Sequence, residues 1–447
     1  MTPQVRTTTK RASAYGSWAT RTIAAGAAAV LAALAVAPAG AAPPDPSTAA
    51  SPPVSPSTAT ARPARVVSIT PLGTRTRTQI VETALTHGFK GTEAEMLAVT
   101  RYHVTTYRLI YRTTAAATNG TPGTPTTASG LLSLPAVPNG PRAHRPLPTV
   151  LHTHGSMTFR GRAPSVSPQG PDGTAAQLFA AGGRAVLTPD YLGLGEGPGR
   201  HPFMDNASSV SATLDLLRAV RTLPAVGPRL SPRTYAVGFS QGGQVAMSVG
   251  RAVAAGQVPH ARLAGLRSGA GPYDILNEEI PAMLAGTVPG RAAVLLLSYV
   301  ITAQNPLSTP PLYRDPAEAF RAPYAARAEA LFDGTHKEEE IIPQLPGSLR
   351  ELFTDAWYEQ LRNPSGPFLA AIRRIDTSCA WTSPVPVTLY SASGDHEAPI
   401  GNTHSCARQL KQRGVPVKVI DHGPTADHFG VLQHSVLDVA RTFPTGT

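Results

Sequence analysis

The chain has 447 residues and an apolar fraction of 42%, enough for a packed core, which excludes overall disorder. Its formal charge of +11 is almost all arginine, with only five lysines, and the arginines are scattered singly. A protein that follows nucleic-acid phosphates needs a clustered basic stripe, so the charge argues against nucleic acid as a partner.

The first 41 residues read as a signal peptide. Arg6, Lys10, Arg11 and Arg21 form a basic leader, "TIAAGAAAVLAALAVA" is a short apolar core, and Pro38-Ala39-Gly40-Ala41 offers a small-x-small cleavage site. The apolar run is too short and too alanine-rich for a membrane span. A secreted protein is therefore expected. Residues 42–66 are rich in Pro, Ser, Thr and Ala without apolar periodicity, the composition of a linker. The folded domain is expected over residues 67–447.

From Tyr102 the segment "YHVTTYRLIYRTT" alternates like a strand, and "ASGLLSLPAV" suits its partner. "PTVLHTHG" and "RAVLTPDYLGLGEG" are apolar runs that end in small and polar residues. The helical "SSVSATLDLLRAVRTL" precedes the strand "RTYAVGFS", and "QGGQVAMSVGRAVAAG" reads as the next helix. "ARLAGLRSGAG", "VPVTLYSASGD" and "VPVKVIDHG" continue the apolar runs, with helices over "NTHSCARQLKQRG" and "VLQHSVLDVARTF". Buried strands alternating with helices predict an α/β fold with a mostly parallel sheet covered on both faces. Between residues 272 and 376 the alternation breaks. There "AAVLLLSYVITA", "DPAEAFRAPYAARAEALF" and "GSLRELFTDAWYEQLR" look helical, which predicts an inserted helical cap over the strand ends.

Gly238-Phe239-Ser240-Gln241-Gly242 stands where a predicted strand becomes a predicted helix. This is the setting of a nucleophile elbow, in which a sharp turn holds the serine hydroxyl clear of the sheet. Serine is a weak nucleophile without a base, and the base needs a partner to hold its tautomer. In such enzymes the chain order is Ser, acid, His. Asp395, directly after a predicted strand, is the candidate acid, with Glu397 as neighbouring competitor. His428, expected in the loop before the last helix, is the candidate base. His422 is expected at the strand end and His434 inside the helix. The tetrahedral oxyanion needs two aimed N–H donors, expected from the backbone of Gln241 and of Ser156 or Met157. Cys379 and Cys406, the two cysteines, bracket Asp395 and suggest a disulfide in a secreted chain. No His or Cys pairs at ligand spacing indicate a metal, and "GLGEG" lacks the spacing of a nucleotide loop.

"HTHGS", "PDYLGLG", "LDLLRAVR", "GFSQGGQVA" and "SGDHEAPIG" together resemble the secretory lipase family of α/β-hydrolases, in its bacterial branch, from about Thr70 onward. The resemblance implies the α/β-hydrolase fold with a helical cap, Ser240, Asp395 and His428 as triad, and Gln241 in the oxyanion hole. It also supports the Cys379–Cys406 disulfide and implies hydrolysis of carboxylic esters, often lipid esters, without a cofactor. Fungal members carry a further disulfide, for which this chain has no cysteines. Some also carry a C-terminal flap, where this sequence has room for one helix after His428. The expected function is thus a lipase or esterase, with an ester or lipid as partner and contact with a lipid interface. The alternatives are a short-chain carboxylesterase or polysaccharide deacetylase, a serine peptidase, and a non-catalytic binding protein of the same fold.

Overall fold

Nine strands form one sheet in the computed structural model, which describes residues 64–138 and 145–445. The predicted signal peptide lies outside the described residues, as does nearly all of the predicted linker. The first strand already begins at Val66, the last residue assigned to that linker. The strands are β1 (Val66–Arg75), β2 (His103–Thr114), β3 (Pro125–Ala136), β4 (Leu147–Thr153), β5 (Ala185–Pro189), β6 (Leu230–Phe239), β7 (Arg262–Gly269), β8 (Val387–Ser391) and β9 (Val417–Asp421). Their spatial order is β1-β2-β3-β5-β4-β6-β7-β8-β9. Pairings among β4 to β9 are parallel, whereas β1, β2 and β3 join the sheet antiparallel, β3 lying against β5.

Alternation along the strands divides the core into two layers. Leu147 and Leu151 of β4 face the layer that holds Leu216, Val245 and Leu410, from the helices Asn206–Arg221, Gln241–Ala254 and Ile400–Lys411. Val150, between them, faces the layer of Ile80, Phe179 and Val436, from the helices Arg77–Thr86, Pro171–Ala181 and His428–Thr442. This two-sided burial is why β4 and β5 read as unbroken apolar runs. The Arg77–Thr86 helix and the following Glu93–Val99 helix went unread in the sequence. Both start with a capping box, Thr76 with Gln79 and Thr92 with Glu95, which satisfies end N–H groups that would otherwise lack acceptors.

The segment between β7 and β8 builds its own core of Val294, Leu297, Tyr299, Phe320, Phe353, Trp357 and Phe368, joined by Phe203 and Met204 from the loop after β5. The expected helix over "AAVLLLSYVITA" is present as Gly290–Gln304. The other two predicted helices are broken. "DPAEAFRAPYAARAEALF" holds only the short turns Pro316–Ala319 and Ala328–Leu331, because Pro323 supplies no N–H and forces its neighbour out of the helical region. "GSLRELFTDAWYEQLR" divides at Phe353, where Thr354 caps a new helix, Asp355–Arg362, by accepting from Trp357 N–H. Among the described residues no helix is long and apolar enough to cross a membrane.

Candidate active site

Strand β6 passes directly into the helix Gln241–Ala254, and the turn between them is Ser240, with φ 57° and ψ −127°. A non-glycine residue rarely adopts positive φ, so the turn must be held from outside. Ser240 N–H donates to Gly269 O at 2.9 Å at the end of β7. The flanking glycines permit close packing. A Cβ on Gly238 would stand 2.0 Å from Gly242 O and 2.2 Å from Thr153 Oγ1, and one on Gly242 would stand 2.0 Å from Thr153 O.

Ser240, His428 and Asp395, far apart in sequence, form one hydrogen-bonded row. His428 Nε2 lies 2.9 Å from Ser240 Oγ, and His428 Nδ1 lies 2.8 Å from Asp395 Oδ2. The other carboxylate oxygen, Oδ1, accepts from the backbone N–H of Glu397 at 2.8 Å and of Ala398 at 2.9 Å. Glu397, the competing acid, thus meets the site through its amide. His428 was expected in a loop but is the first residue of the last helix, because the Asp427 side chain caps that helix by accepting from Gly430 N–H. His422 stands at the end of β9 with its N–H on Ser391 O, and its ring stacks between Tyr390 and His434. Neither His422 nor His434 joins the row.

Burial by itself lowers the pKa of His428, but the charge and hydrogen bond of Asp395 outweigh it. Glu397 and Glu279 add to the rise, and the imidazole is pushed up to about 9. Its environment therefore favours the imidazolium that forms when a base takes a proton.

Gln241 is the first residue of its helix, so its N–H has no intrahelical acceptor and stands at the positive end of the helix dipole. Its side-chain Nε2 lies 3.0 Å from His201 Nε2, while His201 Nδ1 faces Leu192 O at 2.9 Å. Burial pushes His201 down to about 4, so the ring is neutral: Nδ1–H donates to Leu192, and Nε2 accepts from Gln241. The loop after β4 also comes close to Ser240. A Cβ on Gly155 would lie 3.5 Å from Ser240 Cβ, and Ser156, exposed, and Met157, buried, follow it. The disulfide between Cys379 and Cys406 is formed and joins the chain before β8 to the helix Ile400–Lys411.

Several residues beside the row carried no sequence signal. Glu279, 3% exposed, lies close enough to Asp395 and His428 for their charges to act on it. It accepts from Asn402 Nδ2 at 3.0 Å. Burial first, and then the Asp395 charge, push its carboxyl up to about 8. A cavity of about 530 Å³ opens where Leu192, His201 and Pro202 face Tyr299 and Phe332, and its lining includes none of Ser240, Asp395 and His428.

No protein-family model matches the chain, and no curated protein does. Solved structures do. The rice cell wall degrading esterase LipA from Xanthomonas oryzae is 25% identical with a TM-score of 0.71, over 85% of this chain and 98% of that one. A ligand-bound form of that esterase gives 26% and 0.71 over the same shares. A putative hydrolase from Legionella pneumophila, 20% identical, has a TM-score of 0.72 over 84% of this chain and 97% of its own. Candida antarctica lipase A, at 15% identity and a TM-score of 0.57, covers 86% of this chain and 84% of its own. The last two speak to fold alone. With this sheet and these neighbours, the chain has the α/β-hydrolase fold and is a carboxylic ester hydrolase.

Proposed function

We propose that the protein is a secreted serine hydrolase that cleaves carboxylic esters through an acyl-enzyme on Ser240, with His428 as acid–base and Asp395 as its partner. The observation that carries this reading is the Asp395–His428–Ser240 row at a serine held at positive φ. In the neutral imidazole, Nδ1–H donates to Asp395 and Nε2 accepts from the serine hydroxyl. Ser240 Oγ forms a bond to the ester carbonyl carbon, its proton passes to Nε2, and the carbonyl π pair becomes the oxyanion. The amides of Gln241 and of Ser156 or Met157 are suited to receive that charge. Collapse breaks the bond to the leaving oxygen, which takes the proton from Nε2. Water then repeats the sequence on the acyl-enzyme, releasing the acid and restoring Ser240.

The basic leader with its apolar run, the Pro-rich tract and the formed disulfide support export to an oxidising compartment. An aromatic and aliphatic insert between β7 and β8 supports apolar acyl or alcohol groups, hence a lipase or esterase that works at a lipid interface. A second reading, a short-chain carboxylesterase or polysaccharide deacetylase, is favoured by the likeness to an esterase that degrades rice cell walls.

The test is initial rates on p-nitrophenyl esters from acetyl to palmitoyl, with a fluorophosphonate label to mark the nucleophile. Activity that Ser240→Ala abolishes, with label on Ser240, is the expected result. Equal rates for Ser240→Ala and the parent would overturn the mechanism. Rates sustained at long acyl chains mean a lipase, and a collapse beyond about butyryl means the short-chain reading.

A further inference from the structure

The peptide unit between Met157 and Thr158 is held at both ends by side chains of the insert. Tyr299 Oη donates to Met157 O at 3.0 Å, and Thr158 N–H donates to Glu338 Oε1 at 3.1 Å. A peptide unit is planar, so fixing its oxygen and its N–H fixes its plane. The same stretch is tied further along. Thr158 Oγ1 donates to His336 O at 2.9 Å, Arg160 N–H donates to Gly334 O at 2.9 Å, and Arg162 pairs with Glu338 and Glu339.

Tyr299 is itself rigid. It is 2% exposed, and its ring is stacked between Phe203, with centroids 4.1 Å apart and planes at 7°, and Phe332, at 4.8 Å and 13°. The hydroxyl is therefore delivered by an aromatic stack, not by a mobile surface side chain. Burial raises its pKa far above the ordinary phenol range, so it remains a donor throughout the working pH. Glu338 is part-buried and paired with Arg162, which holds its carboxylate against the loop.

Met157 is two residues beyond Gly155, where an added Cβ would lie 3.5 Å from Ser240 Cβ. With the Met157–Thr158 plane fixed, the direction of the amides at Ser156 and Met157 depends on the few torsions between that plane and Gly155. An oxyanion donor acts only when aimed before the reaction begins, and a misplacement of about 1 Å can lower the rate 10²-fold.

We propose that Tyr299 and Glu338 are positioning residues of the oxyanion hole, through which the insert aims the second N–H donor at the developing oxyanion. The insert is then part of the catalytic frame on this side, and its residues near 299 and 334–339 stay docked during turnover. This rests on the reading of Ser240 as nucleophile.

The experiment compares Tyr299→Phe, Glu338→Ala and Glu338→Gln with the parent in the full chain. It measures kcat and KM on a p-nitrophenyl ester, the affinity for a trifluoromethyl ketone that forms a tetrahedral adduct, and Tm. The expected result is a fall in kcat of about 10-fold for Tyr299→Phe and Glu338→Ala with KM within about 2-fold, and a matching loss of ketone affinity. Glu338→Gln keeps an oxygen that accepts from Thr158 and is expected to restore most of what Glu338→Ala loses. Unchanged kcat and ketone affinity in Tyr299→Phe would overturn the proposal. So would losses in active fraction that track a lower Tm while the ketone binds the remaining enzyme as tightly as the parent. Ser240→Ala separates the two readings: if it is as active as the parent, the mechanism itself has failed, whatever Tyr299→Phe does.

Discussion

Asn402 Nδ2 donates to Glu279 Oε1 at 3.0 Å, and the other oxygen of that carboxyl is buried without a partner among the described residues. Asn402 also accepts from Asp274 N–H at 3.0 Å, so one amide ties the start of the insert to the helix after the Asp395 loop. Glu279 thus lies beside the Asp395–His428 pair as a carboxyl that burial keeps neutral up to about pH 8.

That burial sets a sign for stability. In the unfolded chain Glu279 loses its proton near the ordinary glutamate value of 4.5, in the folded protein near 8. Between those values the folded state binds more protons, so this residue makes stability fall as pH rises. Glu279→Gln cannot ionise and removes the effect. The Tm difference between Glu279→Gln and the parent should widen by a few degrees from pH 5 to pH 8 in calorimetry. A difference that stays flat across that range would contradict the buried neutral acid.

The pH profile of catalysis follows from His428. The base must be neutral to take the Ser240 proton, and its pKa stands at about 9. kcat/KM on a short ester should therefore rise tenfold per pH unit and level off above about pH 9. Asp395→Asn removes the charge that raises this pKa, so the rising limb should move to lower pH while the rate drops by about 10⁴. A wild-type midpoint near 6.5 would show that Asp395 does not hold the imidazolium as the geometry implies.

Gly238 has no room for a methyl group, since a Cβ would meet Gly242 O and Thr153 Oγ1. Gly242 O is backbone, and Thr153 Oγ1 is held by donating to Val237 O and Gly242 O, so neither yields easily. Gly238→Ala should lower stability by about 1–3 kcal/mol and displace Ser240 enough to cut kcat by at least about 10²-fold. Urea unfolding and initial rates read the two effects separately. Full activity in this variant would mean that the strand–helix junction tolerates a shift.

The Cys379–Cys406 bond closes a loop with a sequence separation of 27 that contains Asp395. Constraining the unfolded chain by a loop of that length stabilises by about 3–4 kcal/mol. Replacing both cysteines by serine should lower the urea midpoint accordingly, while kcat at 25 °C stays near that of the parent, because Asp395 is also held by two backbone amides. A large fall in kcat without loss of stability would instead make the disulfide part of the acid loop's alignment.

Much of this was legible because it is local. Alternation in "YHVTTYRLIYRTT", the unbroken apolar runs of β4 and β5, and Gly-x-Ser-x-Gly between strand and helix each reflect neighbours within a few residues. They point to the α/β-hydrolase fold and to Ser240, while Asp395 and His428 follow from the Ser, acid, His order and their places after predicted strands; the fold brings the three within hydrogen-bond reach. The insert's helices are shorter than their sequence pattern predicts because helical spacing persists through segments where Pro323 and the cap at Thr354 end the helix. His428 opens the last helix rather than lying in the predicted loop because the Asp427 side chain caps that helix.

The class of sheet, the turn that presents Ser240 and the chemistry open to it are written locally, because backbone propensity, side-chain period and turn strain act along the chain. Packing alone places β5 outside β4, buries Glu279 beside Asp395, and sets Tyr299 and Glu338 against the peptide at Met157. The last two relations join residues more than a hundred positions apart. Burial and hydrogen-bond partners at such separations are set by how the layers pack, and no local pattern encodes them.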